Sequence, residues 1–237
     1  MGRAPAAARP GADPSFRFAL GLLAFFVVLG VSYNFLLPLR DMGHWFRIFM
    51  WGTLLRLSAF GLLVWVDLRS GRRTPFDFKG MPGSRVLGHA ALMTGLWALL
   101  LTHAHGAPWN WGERAMALPA CLVVGLFEEY LFRGVLLRGF AERFSGAKAV
   151  FATSLLFTLF HTRLQAIAAW PHIFLTGVVL AHLRRRGMSL GHLAVVHALP
   201  DAMFFFVGRE MGSEYRPVYY VFLGGLFLYA ALTRKDG

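Results

Sequence analysis

Glu128, Glu129 and Arg133 stand inside an apolar stretch, Ala115 to Leu137, long enough to cross a bilayer. A carboxylate near the bilayer centre costs several kcal/mol on insertion scales, so such charges imply partners, water or a reaction. On a helix, Glu129 and Arg133 are four residues apart with the acid nearer the N-terminus, the favourable order for an ion pair. Glu128 is turned about 100° away from that face. The expected division of labour is that Glu129 and Arg133 neutralise each other while Glu128 is left free to face something else.

Two other apolar spans carry polar groups at four-residue spacing: Phe157-x-x-x-His161 and His197-x-x-x-Asp201. Measured along a helix from Arg138, Gly187 and Lys148 at the predicted cytoplasmic ends, Glu128 and His197 lie about 15 Å deep and His161 about 20 Å. In a hydrocarbon core about 30 Å thick, all three fall near the midplane and could share one pocket. A glutamate held away from bulk water suits a general base taking a proton from water, and an imidazole beside it can hold that water or return the proton. Glu128 with His161 is such a pair. Asp201, one turn after His197, is expected to accept from one ring nitrogen and leave the other aimed at a substrate. Pro200 cannot donate to the carbonyl of Val196, so a bend is expected beside His197, with room for water. Each group alone also has a structural reading, as an ion pair, an interfacial histidine or a polar contact between packed spans. Their common depth is what favours chemistry.

The elements that must position these groups are membrane spans. The chain of 237 residues is 57% hydrophobic and 15% charged, against about a quarter charged in soluble domains. It reads as an all-α polytopic membrane protein with about eight transmembrane helices: Phe16 to Leu39, His44 to Val66, Val86 to His105, Met116 to Leu137, Ala147 to Arg163, Ile167 to Leu183, Met188 to Val207 and Val218 to Thr233. The polar site then lies between helices 4, 5 and 7. The first span is long for a leader and lacks a small-residue cleavage site, so it is expected to be retained.

The net charge of +12 would suit nucleic acid, but its distribution points to topology. With the N-terminus cytoplasmic, sixteen of the 24 basic residues fall on inside segments, six fall outside, and Arg56 and Arg133 lie at membrane depth. This positive-inside asymmetry predicts both termini cytoplasmic, a multi-pass protein of the cell (inner) membrane, and no nucleic-acid partner. Residues 1–15 read as a disordered cytoplasmic tail and 16–237 as a single transmembrane domain. The stretch Asp67 to Arg85 reads as a basic cytoplasmic loop whose Phe76 and Phe78 dip into the interface. His103 to Arg114, with Trp109 and Trp111, reads as an external interfacial belt. Cys121, the one cysteine, excludes an intrachain disulfide and reads as a small packing residue. Arg56 either reaches a carboxylate of the pocket or snorkels to one side.

The ordered set Glu-Glu-x-x-x-Arg (Glu128 to Arg133), Phe-x-x-x-His (Phe157 to His161) and His-x-x-x-Asp (His197 to Asp201) resembles the CAAX prenyl endopeptidase and bacteriocin-processing family of intramembrane proteases, also called the abortive-infection family. The resemblance covers roughly residues 115–207. It implies that Glu128 activates water, that His161 holds that water or shares its proton, that His197 and the residue four later form an oxyanion hole, and that Glu129 and Arg133 hold the fourth helix in place. Asp201 departs from the Asn of the prenyl endopeptidases. An ionised carboxylate cannot donate to an oxyanion, so Asp201 is either protonated or only orients His197. Some members are described as metalloproteases, and Glu128, His161 and His197 would then be zinc ligands. The glutamate-water scheme explains the same residues with no cofactor.

The resulting expectation is a glutamate-dependent intramembrane endopeptidase acting on a membrane-anchored polypeptide in the lipid bilayer. The substrate is a precursor peptide or a C-terminal sorting or CAAX-like segment. An arginine-rich, lysine-poor composition suits a GC-rich bacterial genome and favours the peptide and sorting-signal readings. The alternatives from other classes are a proton-coupled transporter, for which no inverted repeat is visible, and a catalytically silent membrane partner or immunity protein.

Overall fold

Apolar runs of about twenty residues can satisfy their backbone in hydrocarbon only by coiling into helices, and this chain does so throughout. A computed structural model describes residues 13–36, 42–71, 80–101, 109–162, 164–207 and 217–234. These residues form eight helices and no strand: α1 (Pro14–Leu36), α2 (Met42–Arg69), α3 (Gly83–Leu101), α4 (Trp111–Ala141), α5 (Gly146–Phe160), α6 (Trp170–Arg185), α7 (Leu190–Val207) and α8 (Pro217–Thr233). A 3-10 turn, Leu164–Ala169, precedes α6. Six spans are long and apolar enough to cross a membrane, α6 being counted from Ile167 in the 3-10 turn, while α5 and α8 are shorter apolar helices of 15 and 17 residues. The eight helices coincide with the eight expected spans, and the molecule is an all-α polytopic membrane protein.

Large apolar side chains on the outer faces, among them Trp51, Leu54, Leu62 and Trp65 of α2, are exposed. That pattern fits lipid on the outside, because hydrocarbon tails are as apolar as leucine. The interior is organised around α4, the most buried of the six long helices. Asn110 and Glu113 start it with a reciprocal capping box, Glu113 N donating to Asn110 Oδ1 over 3.0 Å and Asn110 N to Glu113 Oε2 over 2.9 Å. Gly125 sets its distance from α7. A Cβ built there would stand 2.6 Å from the carbonyl oxygen of Ala194, so the two backbones touch where no side chain intervenes. The short link from α6 to α7 turns at Gly187, with φ +93°, while Met188 N donates to Leu183 O.

Two expectations change. Asp67 is no loop residue: it is fully buried near the end of α2, accepting from Arg138 Nη2 at 2.8 Å and from Tyr130 Oη at 3.0 Å. It pins α2 to α4. Trp109 is no interfacial anchor either, being only 3% exposed and packed among Trp45, Phe204 and Phe205 with ring centroids 4.9–5.8 Å away. An indole at the start of a helix packs inward when facing helices offer aromatic partners. Trp111 does face outward. The expectations for residues 1–12 and for Phe76 and Phe78 lie outside the described residues.

Candidate active site

The regular turns of α4 end at Glu129, and Tyr130–Leu136 continue as a π-helix in which Leu137 N donates to Phe132 O. Such widened turns recur at functional sites. Glu128 is 2% exposed, Glu129 0% and Arg133 2%, so each needs compensation. Arg133 Nη1 donates to Glu129 Oε1 at 2.9 Å and Nη2 to the carbonyl of Gly177 on α6 at 3.2 Å. The Phe157 ring lies under the same guanidinium, 4.4 Å from its carbon.

Glu129 does more than neutralise Arg133. Its Oε1 also accepts from His197 Nδ1 on α7 at 2.7 Å. A carboxylate oxygen only accepts, so Nδ1 carries the hydrogen and the ring offers Nε2 to the other side. That nitrogen lies 3.8 Å from Glu128 Oε2 and 3.9 Å from Asp201 Oδ2. The partner that orients His197 is therefore Glu129 rather than the expected Asp201. A residue four positions on shares the helix face but stays beyond hydrogen-bond reach, whereas α4 approaches closely enough to bond because of Gly125. The Asp201 side chain is 39% exposed.

Glu128 contrasts with its neighbour. No described protein group hydrogen-bonds to its carboxylate, and its Oε2 is a buried oxygen without such a partner. What Glu128 does face is a cation, since Arg56 on α2 brings Nε to 3.5 Å from Glu128 Oε1. Arg56 thus reaches the pocket instead of snorkelling. Its guanidinium carbon stands 5.8 Å from the Phe26 ring centroid and 5.5 Å from that of Phe160.

His161 lies just past the helix expected to carry it. α5 ends at Phe160, and His161 is its C-cap with φ −87° and ψ 70°. Its Nδ1 sits 2.8 Å from the Phe157 carbonyl oxygen. That oxygen only accepts, so Nδ1 donates and Nε2 of the neutral ring keeps a lone pair for the pocket. Trp170 Nε1 donates to the His161 carbonyl at 3.0 Å and holds the departing chain. Phe157 joins the two histidines, its ring centroid 4.9 Å from that of His161 and 5.8 Å from that of His197.

Glu128, His161, His197 and Asp201 line one cavity of about 750 Å³, together with Arg56, Phe157 and Pro200. The cavity extends past helices 4, 5 and 7 to an aromatic wall supplied by α1, α2 and α3, including Phe26, Trp45, Phe49 and Trp97. Arg56 is the one lysine or arginine among its described lining residues. Two features of this site escaped sequence reading. The Glu129–His197 bond and the wall from α1 to α3 depend on which helices are neighbours, which helical spacing does not encode. Among the described residues, no three His, Cys, Asp or Glu side chains are grouped so as to hold a metal ion. His89, His172 and His182 are occupied elsewhere, beside Tyr229 Oη, Tyr219 Oη and the Ala230 carbonyl respectively.

Fold and site together define a polytopic α-helical membrane protein with a buried carboxylate–imidazole centre. Residues 109–203 match the family described as Rce1-like, type II CAAX prenyl endopeptidase Rce1-like. This segment holds all three motifs, and it is the family that the motif set resembles. No curated protein and no solved structure matches the chain.

Proposed function

We propose that the chain is an intramembrane endopeptidase in which Glu128 activates water to hydrolyse a peptide bond of a membrane-associated polypeptide. The observation that carries the reading is the contrast between adjacent glutamates. Glu129 is committed to Arg133 and His197, while Glu128 faces the cavity with no hydrogen bond from any described protein group on its carboxylate. A carboxylate with unused lone pairs in a polar pocket is suited to bind and deprotonate a water molecule.

In this mechanism Glu128 takes a proton from water and the hydroxide adds to the scissile carbonyl carbon, the carbonyl electron pair moving to oxygen. Nε2 of His161 accepts a hydrogen bond from the same water and holds it in line. Collapse of the tetrahedral adduct breaks the C–N bond, and the proton held by Glu128 passes to the leaving nitrogen. Asp201, at the more open side of the site, helps place the substrate without donating to the oxyanion. The family description supports a prenylated, CAAX-terminated polypeptide as the first substrate to offer. The aromatic wall suits a bulky apolar group on that substrate.

The test is cleavage, in purified proteoliposomes, of a panel of tagged membrane-anchored peptides that includes farnesylated CAAX-terminated ones. Wild type is compared with Glu128→Gln and His161→Ala, with and without chelator. Cleavage that both substitutions abolish and chelator leaves intact is the expected result. Full activity of Glu128→Gln would sink the proposal, and loss on chelation would move the chemistry to a metal.

A further inference from the structure

We propose that Arg56 is a catalytic residue, whose guanidinium donates hydrogen bonds to the oxyanion formed when water adds to the substrate carbonyl. This rests on the glutamate-water reading above and adds the group that receives the developing negative charge.

The first argument concerns donors. Around Glu128 the cavity wall is rich in acceptors, namely Glu128 itself and Asp201. The Nδ1 hydrogens of His161 and His197 are committed to the Phe157 carbonyl and to Glu129. Of the charged and imidazole groups beside Glu128, Arg56 and, when protonated, Nε2 of His197 remain to donate to an oxyanion; the Thr176 hydroxyl and the Trp97 indole N–H line the same cavity but carry no charge to balance it.

Placement is the second argument. Arg56 is held by the faces of Phe26 and Phe160, contacts that position a cation without using its N–H groups. No described protein group accepts from its Nε, which pairs with Glu128 only at ion-pair range, 3.5 Å. Its Nη1 runs back past Gly52, where a Cβ would stand 3.0 Å away. Gly52 and Arg56 line the cavity together, so the missing side chain leaves that edge of the guanidinium open to it.

Charge balance supplies the third. At rest Arg56 faces the Glu128 carboxylate. When Glu128 takes the water proton it becomes neutral, and the negative charge reappears on the substrate oxygen. A partly buried guanidinium stripped of its counter-charge is costly, and so is an oxyanion without a donor. Setting one against the other removes both penalties, and the net charge of the site never changes.

The experiment compares wild type with Arg56→Gln and Arg56→Lys in proteoliposomes. It uses a farnesylated CAAX-terminated peptide and its phosphonate analogue, whose tetrahedral anion mimics the adduct. Arg56→Gln is expected to lower kcat by about 10²–10³-fold with KM within about threefold, with Arg56→Lys in between. The phosphonate should bind wild type more tightly than the parent peptide, and Arg56→Gln should erase that preference while parent affinity holds. Equal loss of both affinities would make Arg56 a substrate anchor and overturn the proposal. So would unchanged kcat, or a wild type without phosphonate preference. If Arg56→Gln does not fold, the same comparisons are read from Arg56→Lys. Activity retained in Arg56→Gln but lost in Glu128→Gln would refute this inference alone; activity retained in Glu128→Gln would refute the reading beneath it.

Discussion

His197 on α7 donates through Nδ1 to Glu129 on α4, over 2.7 Å and across 68 residues of sequence. The bond sets the ring plane of the imidazole and turns Nε2 toward Glu128 and Asp201. Because the same Glu129 oxygen accepts from Arg133, which in turn donates to α6 through Gly177, one carboxylate ties three helices around the cavity. Two adjacent glutamates thereby acquire different work, one holding the site together and one facing it.

That division predicts opposite phenotypes for like substitutions. Glu129→Gln strands the fully buried charge of Arg133 and should destabilise the protein by about 3–5 kcal/mol. Glu128→Gln removes no hydrogen bond made by a described protein group and should shift the thermal midpoint in detergent far less, while abolishing cleavage. Comparable destabilisation in the two variants would contradict the assignment.

Asp201 should prove dispensable as an orienting group for His197. It lies 3.9 Å from Nε2, and its side chain is 39% exposed, so the expected cost of losing its charge is small. Asp201→Asn is expected to keep kcat within about threefold of wild type. A loss as deep as that of Glu128→Gln would restore Asp201 to the centre of the mechanism.

Phe157 serves as the common floor of the site, touching His161, His197 and the Arg133 guanidinium. Phe157→Leu keeps an apolar residue but removes the flat face. It should cost about 1–3 kcal/mol and lower kcat at least tenfold, since both imidazoles lose their stop. Unfolding curves and turnover measured on the same preparation separate the two effects.

The α4–α7 approach offers a test remote from chemistry. Gly125→Ala places a methyl 2.6 Å from the Ala194 carbonyl oxygen, so the helices must separate and the His197–Glu129 bond must lengthen. Activity should fall by an order of magnitude or more. Gly224→Ala on α8, where nothing lies within 4 Å of the added methyl, should be neutral or stabilising by up to about 1 kcal/mol. Equal behaviour of the two would remove the special role of the close approach.

The apolar spans and the membrane fold were legible in the chain because hydrocarbon leaves the backbone no alternative to helices. The polar motifs stood out for the same reason, charges being costly at that depth. The pairing of Glu129 with Arg133 is likewise local, since residues four apart meet on any helix. The tertiary structure decided the rest. Which carboxylate holds His197, where Arg56 ends, how α1 to α3 close the aromatic wall and why Trp109 turns inward all depend on helix crossings between distant residues. The π-turn after Glu129 and the break of α5 before His161 are likewise settled by packing, which overrides the regular 3.6-residue period that a sequence alone can display.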